Sequence, residues 1–379
     1  MNLSYWEHDI YFRNLDVVVV GSGIVGLHAA IRLKELDPAL RVLVVEAGIL
    51  PSGASTKNAG FACFGSMTEL MADIRSQGEE SVFDLVELRW KGLARLRRRL
   101  GDKNIGFQQS GGFEVFLSDD EHIWKACQDQ MKYMNQELGG IVGRKTVFRR
   151  ADKRSYGFGL EGVSHLIENT AEGQIHTGKM MQSLLSYARK LGVEILNGLT
   201  VSALESEAGG IEVQFTNGWR IQVAKVIVAV NGFANRLLPQ LHVRPARNQV
   251  LVTSPIPGLT LKGTFHYNEG YVYFRNTDDG RVLLGGGRNL DTEGETTDQF
   301  GLTDQIQQYL EGFLQEVILP GKTYAIEQRW SGILGLGSEK KPIIQALTPH
   351  LIVAVRLGGM GVAIGSLTGE RAAELFFET

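Results

Sequence analysis

The chain of 379 residues is short of cysteine, and that shortage removes several functions at once. Cys63 and Cys127 form no C-x-x-C pair and supply neither a redox dithiol nor a set of metal ligands, so no metal is expected. Without a disulfide framework, a reducing compartment is the simplest setting. No apolar run reaches the roughly 18 uninterrupted residues of a membrane-spanning helix. Residues 1–15 mix Trp6, Tyr11 and Phe12 with Glu7, His8, Asp9 and Arg13 and hold no apolar stretch of a signal peptide. A cytoplasmic protein with no membrane span is expected, its early aromatics forming a packed arm or, on the other reading, a lid. Charge of one sign is also scarce. With 39 Lys and Arg against 42 Asp and Glu, the net charge is −3, which gives no reason to expect a nucleic-acid partner.

What is present is concentrated between Asp16 and Gly65. The run Asp16-Val17-Val18-Val19-Val20 is apolar without alternation, as suits a parallel strand covered on both faces. It ends at Gly21-Ser22-Gly23-Ile24-Val25-Gly26, the G-x-G-x-x-G spacing. There the first glycine permits a sharp turn, the second a close approach of backbone to a pyrophosphate, and the third tight packing of helix on strand. A helix from about Ile24 to Leu36 aims its unpaired N–H groups at the phosphates, and Asp37-Pro38 stops it. A second strand, Val42-Leu43-Val44-Val45, delivers Glu46, whose carboxylate can accept from both ribose hydroxyls. A lone glycine motif is weak, because glycines also make turns for steric reasons alone. Here strand, turn, helix, strand and acid follow in the order a dinucleotide site requires.

Beyond this unit the length predicts two domains. Apolar positions from Met67 to Leu100 recur at helical spacing, and Arg95, Arg97, Arg98 and Arg99 near their end read as a solvated face favoured by the helix dipole. A strand at 111–117 and a helix at about 119–138 follow. Gly173-Gln174-Ile175-His176-Thr177-Gly178 precedes a helix at 179–191, with His176 either a cap or a neighbour of the cofactor. Asn217-Gly218 turns a hairpin. Tyr271-Val272-Tyr273-Phe274-Arg275 and Arg281 to Arg288 form another, in which alternation puts Tyr271, Tyr273 and Arg275 on one face.

The segment after Glu46, Gly53-Ala54-Ser55-Thr56-Lys57-Asn58-Ala59-Gly60-Phe61, is small, polar and rich in glycine. Here the chain resembles the D-amino-acid oxidase superfamily of FAD-dependent amine and amino-acid oxidoreductases, which includes glycine oxidase, sarcosine oxidase and D-amino-acid dehydrogenase. The strand Lys225 to Val230 closing in Asn231-Gly232, the run Gln328-Arg329-Trp330-Ser331-Gly332, and the glycines Gly358-Gly359-Met360-Gly361-Val362-Ala363 after Leu351 to Val355 carry the same likeness. The resemblance implies an α/β (α+β overall) fold. A Rossmann-like FAD-binding domain would be built from discontinuous segments, 1–75, 145–235 and 326–379. The second, substrate-binding domain, 76–144 and 236–325, would contain a large, mostly antiparallel sheet.

The resemblance further implies non-covalent FAD, since no cysteine follows Cys127 and no histidine lies between Glu46 and Gly65. It would be held by Gly21, Gly23, Ile24, Val25 and Gly26, by Glu46 and Ala47, and by Ser55, Thr56, Lys57, Asn58, Ala59 and Gly60. Thr200, Val201, Asn231, Gly232, Trp330, Gly332 and Arg356 would join it, with the glycines from Gly358 to Ala363. The substrate wall is expected at Tyr273, Arg275 and Arg288, because tyrosine and arginine together can grip a carboxylate. The family's arginine shortly after Trp-x-Gly is replaced by Leu334-Gly335-Leu336-Gly337, which argues against the usual grip on an α-amino acid.

The implied reaction is oxidation of the C–N bond of a small amine or amino acid by hydride transfer to flavin N5, with hydrolysis of the imine and no general base required. The acceptor is O2 or a quinone or electron-transfer partner. Leu283 and Leu284 stand where some oxidases keep a lysine, which leans towards a dehydrogenase. A homo-oligomer is left open. Disulfide reductases and flavin monooxygenases are disfavoured, because no second G-x-G-x-x-G and no cysteine pair occur. The remaining alternatives are an FAD-dependent 2-hydroxy-acid dehydrogenase and an inactive flavin-binding subunit of a larger dehydrogenase complex.

Overall fold

The computed structural model describes residues 3–379. The apolar run Val17–Val20 forms the centre of a six-stranded sheet, where both of its faces are covered. The order across the sheet is Ile343–Thr348, Leu351–Val355, Lys225–Val228, Val17–Val20, Val42–Glu46 and Glu194–Asn197. All neighbours are parallel except the edge strand Ile343–Thr348. Helices Ile24–Leu36, Thr177–Lys190 and Gly361–Glu378 cover one face and bury Leu27, Ile31, Leu184 and Ala372 against Val17 and Val19. The other face, with Val18 and Val20, packs on a three-stranded sheet of Val201–Glu207, Gly210–Phe215 and Arg220–Val223. Phe12 of the N-terminal arm seals that side against Trp219, their ring centres 6.0 Å apart, whereas Trp6 and Tyr11 are exposed, so of the early aromatics Phe12 packs as an arm would.

A second sheet of eight strands runs Ile326–Leu336, Arg244–Thr253, Val282–Gly286, Val272–Asn276, Thr264–Tyr267, Gly112–Leu117, Val163–Asn169 and Phe148–Arg150. It is antiparallel except between Thr264–Tyr267 and Gly112–Leu117. Its back carries an aromatic core of Phe113, Phe265 and Phe274 under the helix Asp304–Phe313. Phe148–Arg150, Val163–Asn169 and Ile326–Leu336 pair into this sheet rather than into the dinucleotide sheet with which the sequence grouped them. Pairing decides membership here, since Val163–Asn169 finds its partners in Gly112–Leu117 and Ile326–Leu336 along the whole of Arg244–Thr253.

Two local expectations need correction. The helical stretch from Met67 breaks at Gly78, whose φ of +82° no helix interior accepts, into Met67–Gln77 and Glu79–Leu100. The arginine cluster is not a purely solvated face. Arg99, its side chain 2% exposed, contacts Glu370 at 2.7 Å and Glu35 at 2.8 Å, and Arg95 joins Glu370 at 2.7 Å. These pairs pin the helix Glu79–Leu100 to the C-terminal helix. The buried His28 nearby donates from Nδ1 to Ile24 O at 2.8 Å and is pushed down to about 3 by burial, with Arg99 adding to the effect. Among the described residues no helix is long and apolar enough to cross a membrane.

Removing one partner of a buried pair leaves an uncompensated charge. Glu370→Ala is therefore expected to destabilise the fold by about 3 kcal/mol, because Arg99 keeps only Glu35. Glu35→Ala, on a more open carboxylate, should cost under about 1 kcal/mol. Urea unfolding followed by tryptophan fluorescence measures both, and equal costs would contradict this assignment.

Candidate active site

The two sheets face one another across a cavity of about 620 Å3. It starts at the carboxyl ends of the parallel strands, where Gly21, Glu46 and Ala229 follow Val20, Val45 and Val228, the usual place for a ligand in such a sheet. Gly26 does not touch the cavity. A Cβ there would lie 1.9 Å from Gly21 O, so only glycine lets the helix start this close to the turn. Ile24 N donates to Ser55 Oγ at 2.9 Å, which brings the second loop over the first. Glu46 is buried, and its Oε2 accepts from Ser22 N and Oγ at 3.1 and 2.9 Å, its Oε1 from Gly48 N and Ser52 Oγ at 3.1 and 3.0 Å. Two of these donors are rotatable hydroxyls, so ribose hydroxyls can take their places on the carboxylate. Ala47, Thr200 and Val201 line the same end.

From there the lining passes Gly23, Val25, Ser55 and Asn231 to Lys57, Asn58 and Ala59 on one side, and Gly332 and Gly358 to Ala363 on the other. Lined by the glycine turn, by Gly332 and Gly358 to Gly361 and by the Glu46 carboxylate, the cavity of about 620 Å3 fits an adenine dinucleotide. The helix Gly361–Glu378 turns its first N–H groups towards the opposite end, where negative charge is favoured.

Several expected cofactor residues act from behind the wall. Thr56 Oγ1 donates to Pro51 O at 2.7 Å, and Trp330 Nε1 donates to Lys57 O at 2.9 Å. Gly232 packs against Leu334 O. Gly60 O accepts from Ile175 N at 2.8 Å. Arg356 is not brought to the cavity. Its guanidinium donates twice to Lys341 O, at 3.1 and 2.9 Å, bracing the turn in front of the edge strand Ile343–Thr348. His176 is a helix cap, its Nδ1 accepting from Lys179 N at 3.2 Å.

One cross-strand row of the eight-stranded sheet runs under the cavity and lines it with His266, Tyr273 and Val250. Glu114, His266, Tyr273, Gly285, Val250 and Trp330 are direct neighbours on successive strands and share a face. Tyr273 lines the cavity beside Phe61, with ring centres 5.6 Å apart, and its hydroxyl accepts from Asn248 Nδ2 at 3.3 Å. Burial pushes the Tyr273 phenol up, so it stays a neutral donor. Arg275 shares the face of Tyr273, as alternation predicts, but not its role. Gly60 and Ile175 cover it, and its Nη1 donates to their carbonyls at 3.2 and 2.8 Å, while burial pushes it down to about 10. Arg288 does reach the cavity. Its guanidinium lies 4.8 Å from the Tyr271 ring centre, and no carboxylate among the described residues pairs with it.

Sequence reasoning passed over three groups that line the same end. Lys340 bridges Glu69 and Asp73 at 2.9 and 2.8 Å. Asn248 presents an Oδ1 that is buried and unpartnered. His266, also buried, has no partner for Nε2 and is pushed down to about 4 by burial. Only the His266–Tyr273 register, legible once the hairpin is drawn, pointed to any of them. Cys63 lines the cavity as a buried thiol that burial pushes up and keeps inert.

The profile of the FAD dependent oxidoreductase family, DAO, matches residues 16–375. A "probable oxidoreductase OrdL" from Haemophilus influenzae is 22% identical over 99% of this chain and 89% of its own length. Glycine oxidase from Geobacillus kaustophilus superposes with a TM-score of 0.75 at 20% identity, covering 97% of this chain and 95% of that one. Iminodiacetate oxidase from Chelativorans sp. BNC1 does so with a TM-score of 0.75 at 20% identity, covering 96% and 95%. With a glycine turn, a ribose-end carboxylate and a two-sheet cleft in the family's order, the chain belongs to the DAO family of FAD dependent oxidoreductases, and FAD is its cofactor.

Proposed function

We propose that this protein oxidises the C–N bond of a small amine or amino acid that carries a carboxylate. The observation that supports this best is the pairing of an unneutralised guanidinium, Arg288, with a neutral phenol, Tyr273, at the end of the cavity where the flavin ring would lie. Together they offer a charge-assisted grip for one carboxylate. Phe61, Val250 and Leu334 keep the rest of the floor apolar, which excludes water from the oxidised carbon. FAD, when bound, accepts the hydride from the carbon bearing nitrogen. The chain's own contribution is orientation: Arg288 and Tyr273 fix the carboxylate, and the apolar floor holds the C–H bond towards the flavin. Relatives that oxidise glycine and iminodiacetate agree with this substrate class.

On this reading the FAD body is built on the six-stranded sheet and the substrate body on the eight-stranded one. The boundaries then fall near 107–170 and 244–336 for the substrate body, in a cytoplasmic setting that keeps Cys63 and Cys127 as thiols.

Anaerobic bleaching of the flavin band tests the reading with glycine, N-methylglycine, iminodiacetate, D- and L-amino acids and 2-hydroxy acids. Bleaching by a carboxylate-bearing amine is expected, and bleaching by 2-hydroxy acids alone would replace this proposal. Admitting air then separates O2 from a quinone or protein acceptor. Arg288→Leu should raise the half-saturating concentration of that amine roughly 10- to 150-fold, the worth of about 1.5–3 kcal/mol for a hydrogen bond to charge, with little change in FAD content. Trp330→Phe should do the reverse. Losing one neutral hydrogen bond to the Lys57 carbonyl, about 1 kcal/mol, would weaken FAD binding about fivefold and leave substrate saturation unchanged.

A further inference from the structure

His266 and Glu172 meet behind the substrate floor, and no other part of the site explains their arrangement. His266 Nε2 is fully covered, has no hydrogen-bond partner and lies 3.9 Å from Glu172 Oε2. The edge of the ring that lines the cavity is therefore the other one, with Nδ1 beside Gly270, another lining residue. Glu172 is held in place by its other oxygen: Oε1 accepts from Phe64 N at 2.9 Å and Gly65 N at 3.2 Å. Space for Oε2 comes from Gly112, where a Cβ would lie only 2.2 Å from it. Phe61 stacks edge-on against the imidazole, with centres 5.1 Å apart, and fixes its plane.

We propose that His266 takes the proton from the substrate ammonium, with Glu172 as the positioning residue that sets the imidazole tautomer and receives the outgoing proton. This rests on the preceding reading that an amine is oxidised. In the step, a substrate N–H bond breaks and its electron pair stays on nitrogen. A new N–H bond forms at His266 Nδ1, while the proton on Nε2 passes to Glu172 Oε2. No electron leaves the substrate, which is now the neutral amine that can give up hydride. The 3.9 Å gap is one small side-chain rotation beyond a hydrogen bond, as is common before a substrate is seated.

The surroundings set the working range. His266 is faced by Glu172, by Glu114 and Tyr273 on the neighbouring strands, and by Glu69 from the helix Met67–Gln77. Burial works to raise the Glu69 carboxyl, but Lys340 and Arg89 prevail and hold it below its ordinary value, so it stays ionised. Burial pushes Glu114 up to about 7, against hydrogen bonds from Thr68 and Ser66. Burial likewise pushes Glu172 up to about 8, against its two backbone N–H bonds. Lys340 also binds Asp73, and Arg89 donates to Phe64 O at 2.7 Å, so neither cation is free to neutralise Glu172. A carboxyl that loses its proton only near that pH can accept one only above it. The step is thus blocked in acid and opens as pH rises towards about 8.

The test uses the FAD-loaded protein and whichever amine of the bleaching series reduces it fastest. The second-order rate of anaerobic flavin reduction should rise with pH and level off near the Glu172 ionisation. In His266→Gln it should fall about 100-fold at that plateau and go on rising to the ionisation of the free ammonium, because solvent then supplies the neutral amine. Glu172→Gln keeps an oxygen for Phe64 and Gly65 but presents an N–H to His266 Nε2, so it should show the same displaced profile. A wild-type profile in His266→Gln overturns the proposal. Should both variants lose FAD, the unmutated protein decides. Mixed with the amine just above the Glu172 ionisation, in weak buffer with an indicator dye, it should release no proton before the flavin bleaches, whereas one proton per flavin overturns the proposal. If no amine bleaches the unmutated protein, the reading of its function fails and this proposal with it. Bleaching with an unaltered profile removes this proposal alone.

Discussion

The segment from Lys57 to Gly65 has almost no regular structure, yet it is largely buried between the two sheets. Every buried N–H and C=O along it needs a partner from somewhere else in the chain. Trp330 reaches Lys57 O, Thr177 reaches Asn58 O, Arg275 and Ile175 reach Gly60 O, Glu172 holds Phe64 N and Gly65 N, and Arg89 reaches Phe64 O. Those partners come from the eight-stranded sheet, from two helices and from the segment 172–175. The loop that lines the cavity is thus also the seam of the molecule, and the residues around it are fixed by its hydrogen-bonding needs before any ligand is considered.

That demand explains why two arginines on one hairpin have different roles. In the sequence Arg275, which alternation puts on the face of Tyr271 and Tyr273, was the stronger candidate of the two, and Arg288 stood beyond the second strand of the same hairpin. Arg275 points under Gly60, where two carbonyls require a donor, and it is consumed there. Arg288 lies past the end of its strand, where no carbonyl or carboxylate competes for it, and only the Tyr271 ring supports it. A charge left without a partner beside a cavity is a stronger sign of ligand binding than one buried among backbone acceptors.

What could be read from the sequence follows from the range of the forces involved. The stretch from Asp16 to Gly65 was legible because strand, turn, helix and ribose acid are local, and because Gly26 is dictated by a contact five residues away. The hairpin face of Tyr273 was legible from alternation alone. Gly78 was missed because a helical apolar pattern continues across it, although its φ of +82° divides the helix. Arg99 with Glu370, and Glu172 with His266, were beyond reach, since each pair unites segments that no periodicity connects. The pairing of Phe148–Arg150 and Val163–Asn169 into the eight-stranded sheet was not legible for the same reason: nothing local says which of two sheets an apolar strand will join.

The acidic groups below the substrate floor are arranged by charge as much as by shape. Glu69 and Asp73 share Lys340, with Arg89 close to Glu69 at 4.0 Å, so their charges are balanced nearby. Glu114 and Glu172 have no such cation, and burial shifts both towards the neutral form. Had all four stayed ionised, the floor would repel any anion seated in the cavity. Keeping two of them protonated near neutral pH removes that repulsion without removing the acids, and it leaves Glu172 with a proton affinity high enough to compete for one. The same burial that makes the site hospitable to anions is what makes it able to take up a proton.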